Sequence, residues 1–296
     1  MVKELKRKRI LFCGGSSLLT YLWCNSIKRD YEVLITKNKK DTDYLKIPTI
    51  KVNLLSTDSI MQALTQNSID IVINTVGLTN VEQCEYFPKE AFLLNGVIPG
   101  YIAKACNILH KKFIHISTDH FFNDEKVKHK ENDKVFLINN YAKSKFEGEL
   151  NVLHNMPSAL ICRTNFFGNG PIHKNSFSDW IIKSVKDKCI ITLHNDVFYT
   201  PISGNNLAYY AHKLSELNCS GIYNICSNQV LTKYQFGMLL CKTLNISSEY
   251  IKEGPISSRN ELAIRPTSMA LSNRKMSKFL NVSVEPITNQ IKSLKI

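Results

Sequence analysis

The chain has 296 residues, a formal net charge of +13 and 44% hydrophobic residues. That length can bury a full core as one large or two coupled domains, and the composition is that of an ordinary globular protein. The charge comes from lysines scattered along the whole chain without a nucleic-acid recognition motif, so nucleic acid is not an expected partner and a small anionic substrate is. Nine cysteines form no C-x-x-C and eight histidines form no H-E-x-x-H, which points to buried free thiols and no metal site. Lys3, Lys6, Arg7, Lys8 and Arg9 precede an apolar run as in a signal peptide. However, Gly14-Gly15-Ser16-Ser17 breaks that run, and no small-residue cleavage site follows. No stretch reaches the roughly 18 apolar residues of a membrane helix. A cytoplasmic protein off the membrane is expected.

Arg9 to Cys13 reads as a strand that ends in the Gly14–Ser17 turn, with a helix over Leu18 to Ile27. Strand, tight turn and helix open a dinucleotide-binding unit. Tyr31 to Thr36 is the second strand, Thr49 to Leu54 a short third, Asp58 to Gln66 a helix and Ile69 to Thr75 a buried strand. Pro88 to Leu109 is a long helical pattern in which Pro99-Gly100 predicts a kink or break. Lys112 to Ser117 is the next strand. A helix then carries Tyr141, and Ala159 to Arg163 is a further strand.

This alternation predicts an α/β Rossmann-type parallel sheet with helices on both faces and a smaller C-terminal substrate lobe. The expected division is a dinucleotide-binding domain over 1–165 and a substrate lobe over 166–296, with the chain crossing between them. Helices are expected over Phe177 to Lys186, Asn206 to Leu217, Lys233 to Leu244 and Asn273 to Leu280, and a strand over Gly221 to Ile225. Ligands bind outside the carboxyl ends of such strands. Gly14, Asn74, Thr75, Ser117, Thr118 and Arg163 all fall at those ends, so they are expected to share one pocket.

Three stretches carry candidate chemistry. Gly14 to Thr20 can cradle a pyrophosphate at a helix N-terminus, with Ser17 and Thr20 standing where a full glycine motif has glycines. Thr20 is expected to loosen the helix against the strand. After the second strand, Lys37, Lys39 and Lys40 replace the acid that would bind ribose hydroxyls, which favours NADPH and leaves NADH as the alternative. Tyr141 and Lys145 lie one helical turn apart, and a lysine ammonium beside a phenol favours the phenolate. Such a pair can protonate a carbonyl oxygen during reduction, with Thr118 as hydrogen-bond donor to the same oxygen. The bland readings are helix packing for the pair, a turn cap for Ser117-Thr118-Asp119, and a packed side chain for His120.

The order of motifs resembles the extended short-chain dehydrogenase/reductase family, in its dTDP-4-dehydrorhamnose reductase-like subgroup. The stretches that carry the resemblance are I-L-F-C-G-G-S-S-L-L at 10–19, I-N-T-V-G-L-T-N at 73–80, H-I-S-T-D-H-F-F at 115–122, N-N-Y-A-K-S-K-F-E-G-E at 139–149, R-T-N-F-F-G at 163–168 and R-P-T-S-M-A-L-S at 265–272. The resemblance implies reduction of a nucleotide-linked 4-keto-6-deoxy sugar for surface-polysaccharide precursors. Thr118, Tyr141 and Lys145 would be catalytic. Gly14, Ser16, Ser17, Leu18 and Leu19 would hold the cofactor pyrophosphate, Asn53 and Leu54 the adenine, and Thr75, Val76 and Gly77 the ribose wall. Lys145 would also hold the nicotinamide ribose, with Ser117, Tyr141 and Asn165 along the same cleft. Thr118, His120 and Arg265 would meet the nucleotide-diphosphate sugar. A homodimer is the assembly left open. Ser17, Thr20, Val76, Gly77, His120 and Asn123-Asp124 depart from the family pattern. Two alternatives stay open: an epimerase or dehydratase of the same superfamily, and a non-catalytic cofactor-binding regulatory protein.

Overall fold

Short runs rich in Ile, Leu, Val and Phe become the parallel strands of the central sheet, because a strand covered on both faces needs apolar side chains on both. The protein is a computed structural model that describes residues 7–37, 46–124, 127–171, 174–258 and 263–295. Its first strand, β1 (Arg9–Cys13), lies between β2 (Glu32–Thr36) and β4 (Ile71–Asn74). The two-residue β3 (Thr49–Ile50) closes one edge beside β2. Beyond β4 come β5 (Lys112–Ile116), β6 (Leu160–Arg163) and, from much later in the chain, β11 (Gly221–Asn224). The seven-stranded order is β3-β2-β1-β4-β5-β6-β11, and every pairing is parallel.

The strand period of two sends alternate residues to opposite layers. Ile10, Phe12, Ile73 and Ile114 pack with α1 (Leu18–Ile27) and α8 (Gly204–Glu216). Leu11, Cys13, Val72, Phe113 and Ile161 pack on the other face with α2 (Thr57–Gln66), α5 (Ile98–Ile108) and α6 (Asn140–Asn155). Each such side chain, once buried, contributes about 1.5–3 kcal/mol. A third core lies in the C-terminal half. There α7 (Phe177–Lys186), α9 (Lys233–Leu244) and α11 (Ile287–Lys292) surround the parallel pair β8 (Ile191–His194) and β13 (Ile251–Gly254). Ser176 with Asp179 and Thr232 with Gln235 form reciprocal capping boxes at the starts of α7 and α9. Eight of the nine cysteines are buried free thiols and Cys189 is exposed. No helix among the described residues is long and apolar enough to cross a membrane.

Several elements differ from the sequence expectation, each for a physical reason. The third strand is shorter than Thr49 to Leu54, because Asn53 turns the chain: its Oδ1 accepts from the Leu55 amide and its carbonyl from the Ser56 amide. α3 (Val81–Tyr86) was not anticipated; the Asn80 side chain caps it by accepting from the Gln83 amide. The Pro88 to Leu109 pattern divides into α4 (Pro88–Phe92), a π-helical turn (Leu93–Val97) and α5. The irregularity falls just before Pro99, which has no N–H for the Asn95 carbonyl. That carbonyl lies against Gly148 of α6, and a β-carbon at position 148 would collide with it. Gly148 is thus where two helices approach too closely for a side chain.

Candidate active site

Gly14 turns the chain at a φ of +103°, and a β-carbon there would stand 2.8 Å from the Thr75 carbonyl carbon, the Thr75 hydroxyl and the Val76 amide. At Gly15 a β-carbon would stand 2.5 Å from the Thr36 carbonyl oxygen. Both glycines are therefore fixed by backbone approaching from β2 and β4. Thr36 anchors the turn, its hydroxyl accepting from the Gly14 amide at 3.0 Å and its carbonyl from the Gly15 amide at 3.2 Å. Ser17 caps α1, its side chain accepting from the Leu19 amide at 3.2 Å and leaving its hydroxyl proton free to donate.

The Ser16 and Leu18 amides have no protein acceptor among the described residues, and they sit at a helix N-terminus. Orphan amides there favour an anion. The expectation that Thr20 loosens this turn is corrected. Thr20 is fully buried, donates to the Gly14 carbonyl at 2.9 Å and meets the Thr75 hydroxyl at 2.7 Å. Its hydroxyl ties α1 to the ends of β1 and β4 in place of glycine's close packing. The turn fits a dinucleotide pyrophosphate.

The other described cofactor candidates lie at the end of β2, in the turn before α2 and just beyond β4. The Lys37 amide donates to the Ile50 carbonyl at 2.9 Å, which fixes the end of β2. Lys39 and Lys40 lie outside the described residues. Asn53 is exposed and Leu54 half-buried in the turn before α2. The Thr75 amide donates to the Cys13 carbonyl at 2.8 Å, and the Val76 amide to Asn74 Oδ1 at 3.1 Å. Asn95, in the π-helical turn, accepts from the Leu78 amide and donates to the Ser144 hydroxyl at 2.9 Å. A β-carbon at Gly77 would stand 2.8 Å from Asn95 Oδ1. Asn95 thus links the Val76–Gly77 wall to α6, a role the sequence reading missed.

α6 starts where Asn139 caps it, accepting from the Ala142 amide at 2.8 Å. Glu85 of α3 fixes the same end, accepting from the amide and the side chain of Asn140. Tyr141 therefore stands in the first turn of α6 with Lys145 one turn below, both almost fully buried. Burial pushes the Tyr141 phenol well up, and a hydrogen bond to Thr118 pulls it partly back. The expected lowering by Lys145 is corrected. The Lys145 ammonium donates to the Ile116 carbonyl at 2.6 Å, and burial brings it down to about 8 against the opposing pull of Glu149. Tyr141 is accordingly a protonated phenol at neutral pH.

Thr118 and Asp119 are buried at the end of β5, and the His120 ring stands edge-on to Tyr141 at 5.2 Å. Burial raises Asp119 to about 6, with Lys233 opposing the rise. Asn165 donates to Asp119 Oδ2 at 2.8 Å. Burial, then Lys233 and Arg265, bring His120 down to about 3, so its ring is neutral. Arg265 lies 3.8 Å from Glu82 of α3.

Not all the strand-end residues line the pocket. Asn74 is fully buried and pairs with His115 at 3.0 Å. Arg163 is 2% exposed and binds Glu149 of α6 at 2.7 Å. The Ser117 hydroxyl donates to the same carboxylate at 2.5 Å. Asn74 and Arg163 belong to the floor beneath the cleft, and the Ser117 side chain points into that floor.

A parallel Rossmann sheet with Thr118 at the end of β5 and a Tyr141–Lys145 pair on the following helix define an oxidoreductase of the short-chain dehydrogenase/reductase class. The chain belongs to the family described as RmlD substrate binding domain, which matches residues 8–295. It is similar to a Haloferax volcanii protein named "Probable low-salt glycan biosynthesis reductase Agl14", with 26% identity over 262 residues and 87% of each chain covered. It is also similar to dTDP-4-dehydrorhamnose reductase of Salmonella typhimurium, with 28% identity over 207 residues, 67% of this chain and 66% of that one. The fold matches the crystal structure of dTDP-4-dehydrorhamnose reductase from Bacillus anthracis str. Ames in complex with NADP, with a TM-score of 0.84 at 18% identity over 97% of this chain and 98% of that one.

Proposed function

We propose that the protein uses NADPH to reduce the 4-keto group of a nucleotide-linked 6-deoxy sugar in the synthesis of surface-polysaccharide precursors. The observation that carries this reading is the placement of the buried Tyr141 phenol in the first turn of α6, one turn from the buried Lys145, with the buried Thr118 just beyond the end of β5. A phenol held in its acid form is ready to give a proton to a carbonyl oxygen. Thr118 donates a hydrogen bond to that oxygen and keeps it beside the phenol. The Lys145 ammonium, which donates to the Ile116 carbonyl in this structure, would hold the nicotinamide ribose by its hydroxyls. When bound, the nicotinamide supplies the hydride for the carbonyl carbon. Gly14, Ser16, Ser17, Leu18 and Leu19 would hold the pyrophosphate. Asn53 and Leu54 would meet the adenine, Thr75, Val76 and Gly77 the ribose, and Lys37 the 2′-phosphate. Both the Haloferax and the Salmonella relatives are named reductases, which favours reduction over epimerisation or a silent regulatory role.

Calorimetric titration with NADPH and with NADH, followed by NADPH oxidation on nucleotide 4-keto sugars, tests the reading. Micromolar binding with preference for NADPH is expected, and no binding of either would sink it. The pH profile is a second check. Lys145 loses its proton as pH rises through about 8. The cationic form is the working one, so kcat/KM for reduction is expected to hold below that value and fall above it. A profile that stays flat well past that point removes the Lys145 charge from the mechanism.

A further inference from the structure

We propose that Lys233 is a specificity-determining residue which, beside Arg265, seats an anionic oxygen group of the substrate against Asp119 and His120. The inference rests on the reductase reading above and adds a residue from the C-terminal half to the substrate side of the site.

Lys233 is the first residue of α9, directly after the Thr232 cap. A cation there opposes the helix dipole by about 0.3–1 kcal/mol, so helix formation does not explain it. Its ammonium lies over the Tyr199 ring at 3.4 Å and within 5.0 Å of the Phe177 ring. Aromatic faces attract a cation but offer its N–H groups no oxygen. Among the described residues no oxygen accepts a hydrogen bond from this ammonium, although the Asp119 charge acts on it.

The neighbouring groups are in the same condition. The Tyr199 hydroxyl and His120 Nδ1 are buried without a hydrogen-bond partner among the described residues. Buried polar atoms are mostly hydrogen-bonded in a finished core, so these two have room for a partner such as water, an ion or a ligand. Tyr199 feels the Asp119 charge, and His120 feels both Lys233 and Arg265. The charges of Lys233, Arg265 and Asp119 act on one another here, and Arg265 is also faced by Glu82 at 3.8 Å. Asp119 does not use up Lys233: the two do not form an ion pair, and Asp119 accepts from Asn165 and Thr118 instead. An anionic oxygen would satisfy the ammonium and offset the repulsion between Lys233 and Arg265.

That oxygen can belong to the nucleotide diphosphate or to a carboxylate on the sugar, and binding measurements separate the two. Wild type, Lys233→Met and Lys233→Arg would be titrated with UDP, UDP-glucose, UDP-glucuronate and NADPH. Lys233→Met is expected to weaken nucleotide binding by about tenfold or more, as loss of a desolvated charge contact does, and to leave NADPH affinity unchanged. Lys233→Arg is expected to restore most of the loss. Equal loss for all three uridine nucleotides assigns the diphosphate; loss confined to UDP-glucuronate assigns a sugar carboxylate. Wild-type affinity for all three in Lys233→Met overturns this inference while leaving the reductase reading standing. A wild-type chain that binds neither NADPH nor any of these nucleotides overturns both.

Discussion

Tyr141→Phe is expected to lower turnover by about 10²-fold or more, the scale of general acid catalysis, with an unchanged thermal transition. The phenol is 8% exposed and its ring packs in a small cluster with Val81, Cys84 and Ala91, contacts that phenylalanine keeps. Only the hydroxyl and its hydrogen bond to Thr118 are lost. Steady-state NADPH oxidation beside cofactor affinity would separate the effects. A fall in kcat with cofactor binding intact marks the proton donor. Turnover close to wild type would remove Tyr141 from the chemistry.

The second large effect is expected beneath the cleft. Glu149 and Arg163 are 1% and 2% exposed, and the guanidinium grips the carboxylate through Nε at 2.9 Å and Nη2 at 2.7 Å. Ser117 donates to the carboxylate, while Arg163 Nη1 donates to the Glu131 carbonyl at 3.1 Å and the guanidinium carbon lies 5.0 Å from the Phe121 ring centre. Removing one partner leaves a buried charge without its counterion, which costs about 3–5 kcal/mol. Glu149→Ala and Arg163→Met are each expected to lower the unfolding free energy, measured by urea denaturation, by an amount of that size. The double variant Glu149→Leu/Arg163→Met is expected to recover most of the loss, because two apolar side chains leave no charge stranded. A single substitution that costs less than about 1 kcal/mol would show the pair to be solvated like a surface bridge. The same carboxylate opposes the downward shift of Lys145, so the double variant should also lose activity at lower pH than wild type.

Much of this site is legible in the sequence because local geometry fixes it. Four residues along a helix always place two side chains on one face, so Tyr141 and Lys145 meet wherever that helix goes. A turn such as Gly14-Gly15 between an apolar strand and a helix has few conformations open to it, and strand ends gather on one side of a parallel sheet. What the sequence hides depends on distant chain. Nothing local distinguishes Lys233 among 38 lysines and arginines; its place over Tyr199 comes from how the C-terminal core packs. Thr20 reads as a poor substitute for glycine until Thr75 is seen across from it. Arg163 reads as a pocket residue, because spacing gives its position along the strand but not the buried glutamate that draws it under. The two-residue strands β3, β7 (Phe166–Phe167) and β10 (Ile202–Ser203) are too short to show any period.

The pairing of β11 with β6 bears on how the protein comes to be folded. Gly221 to Asn224 align with Leu160 to Arg163, and α8, which precedes β11, covers the sheet beside α1. Until residue 224 has been synthesised, β6 presents an unpaired edge, and the apolar face that α8 covers is open to water. An open strand edge invites pairing with another chain. A growing polypeptide stopped near residue 165 would therefore be a candidate for chaperone capture rather than a free-standing nucleotide-binding unit. Contacts this far apart in sequence also make assembly slow, since a long loop must close before they can form.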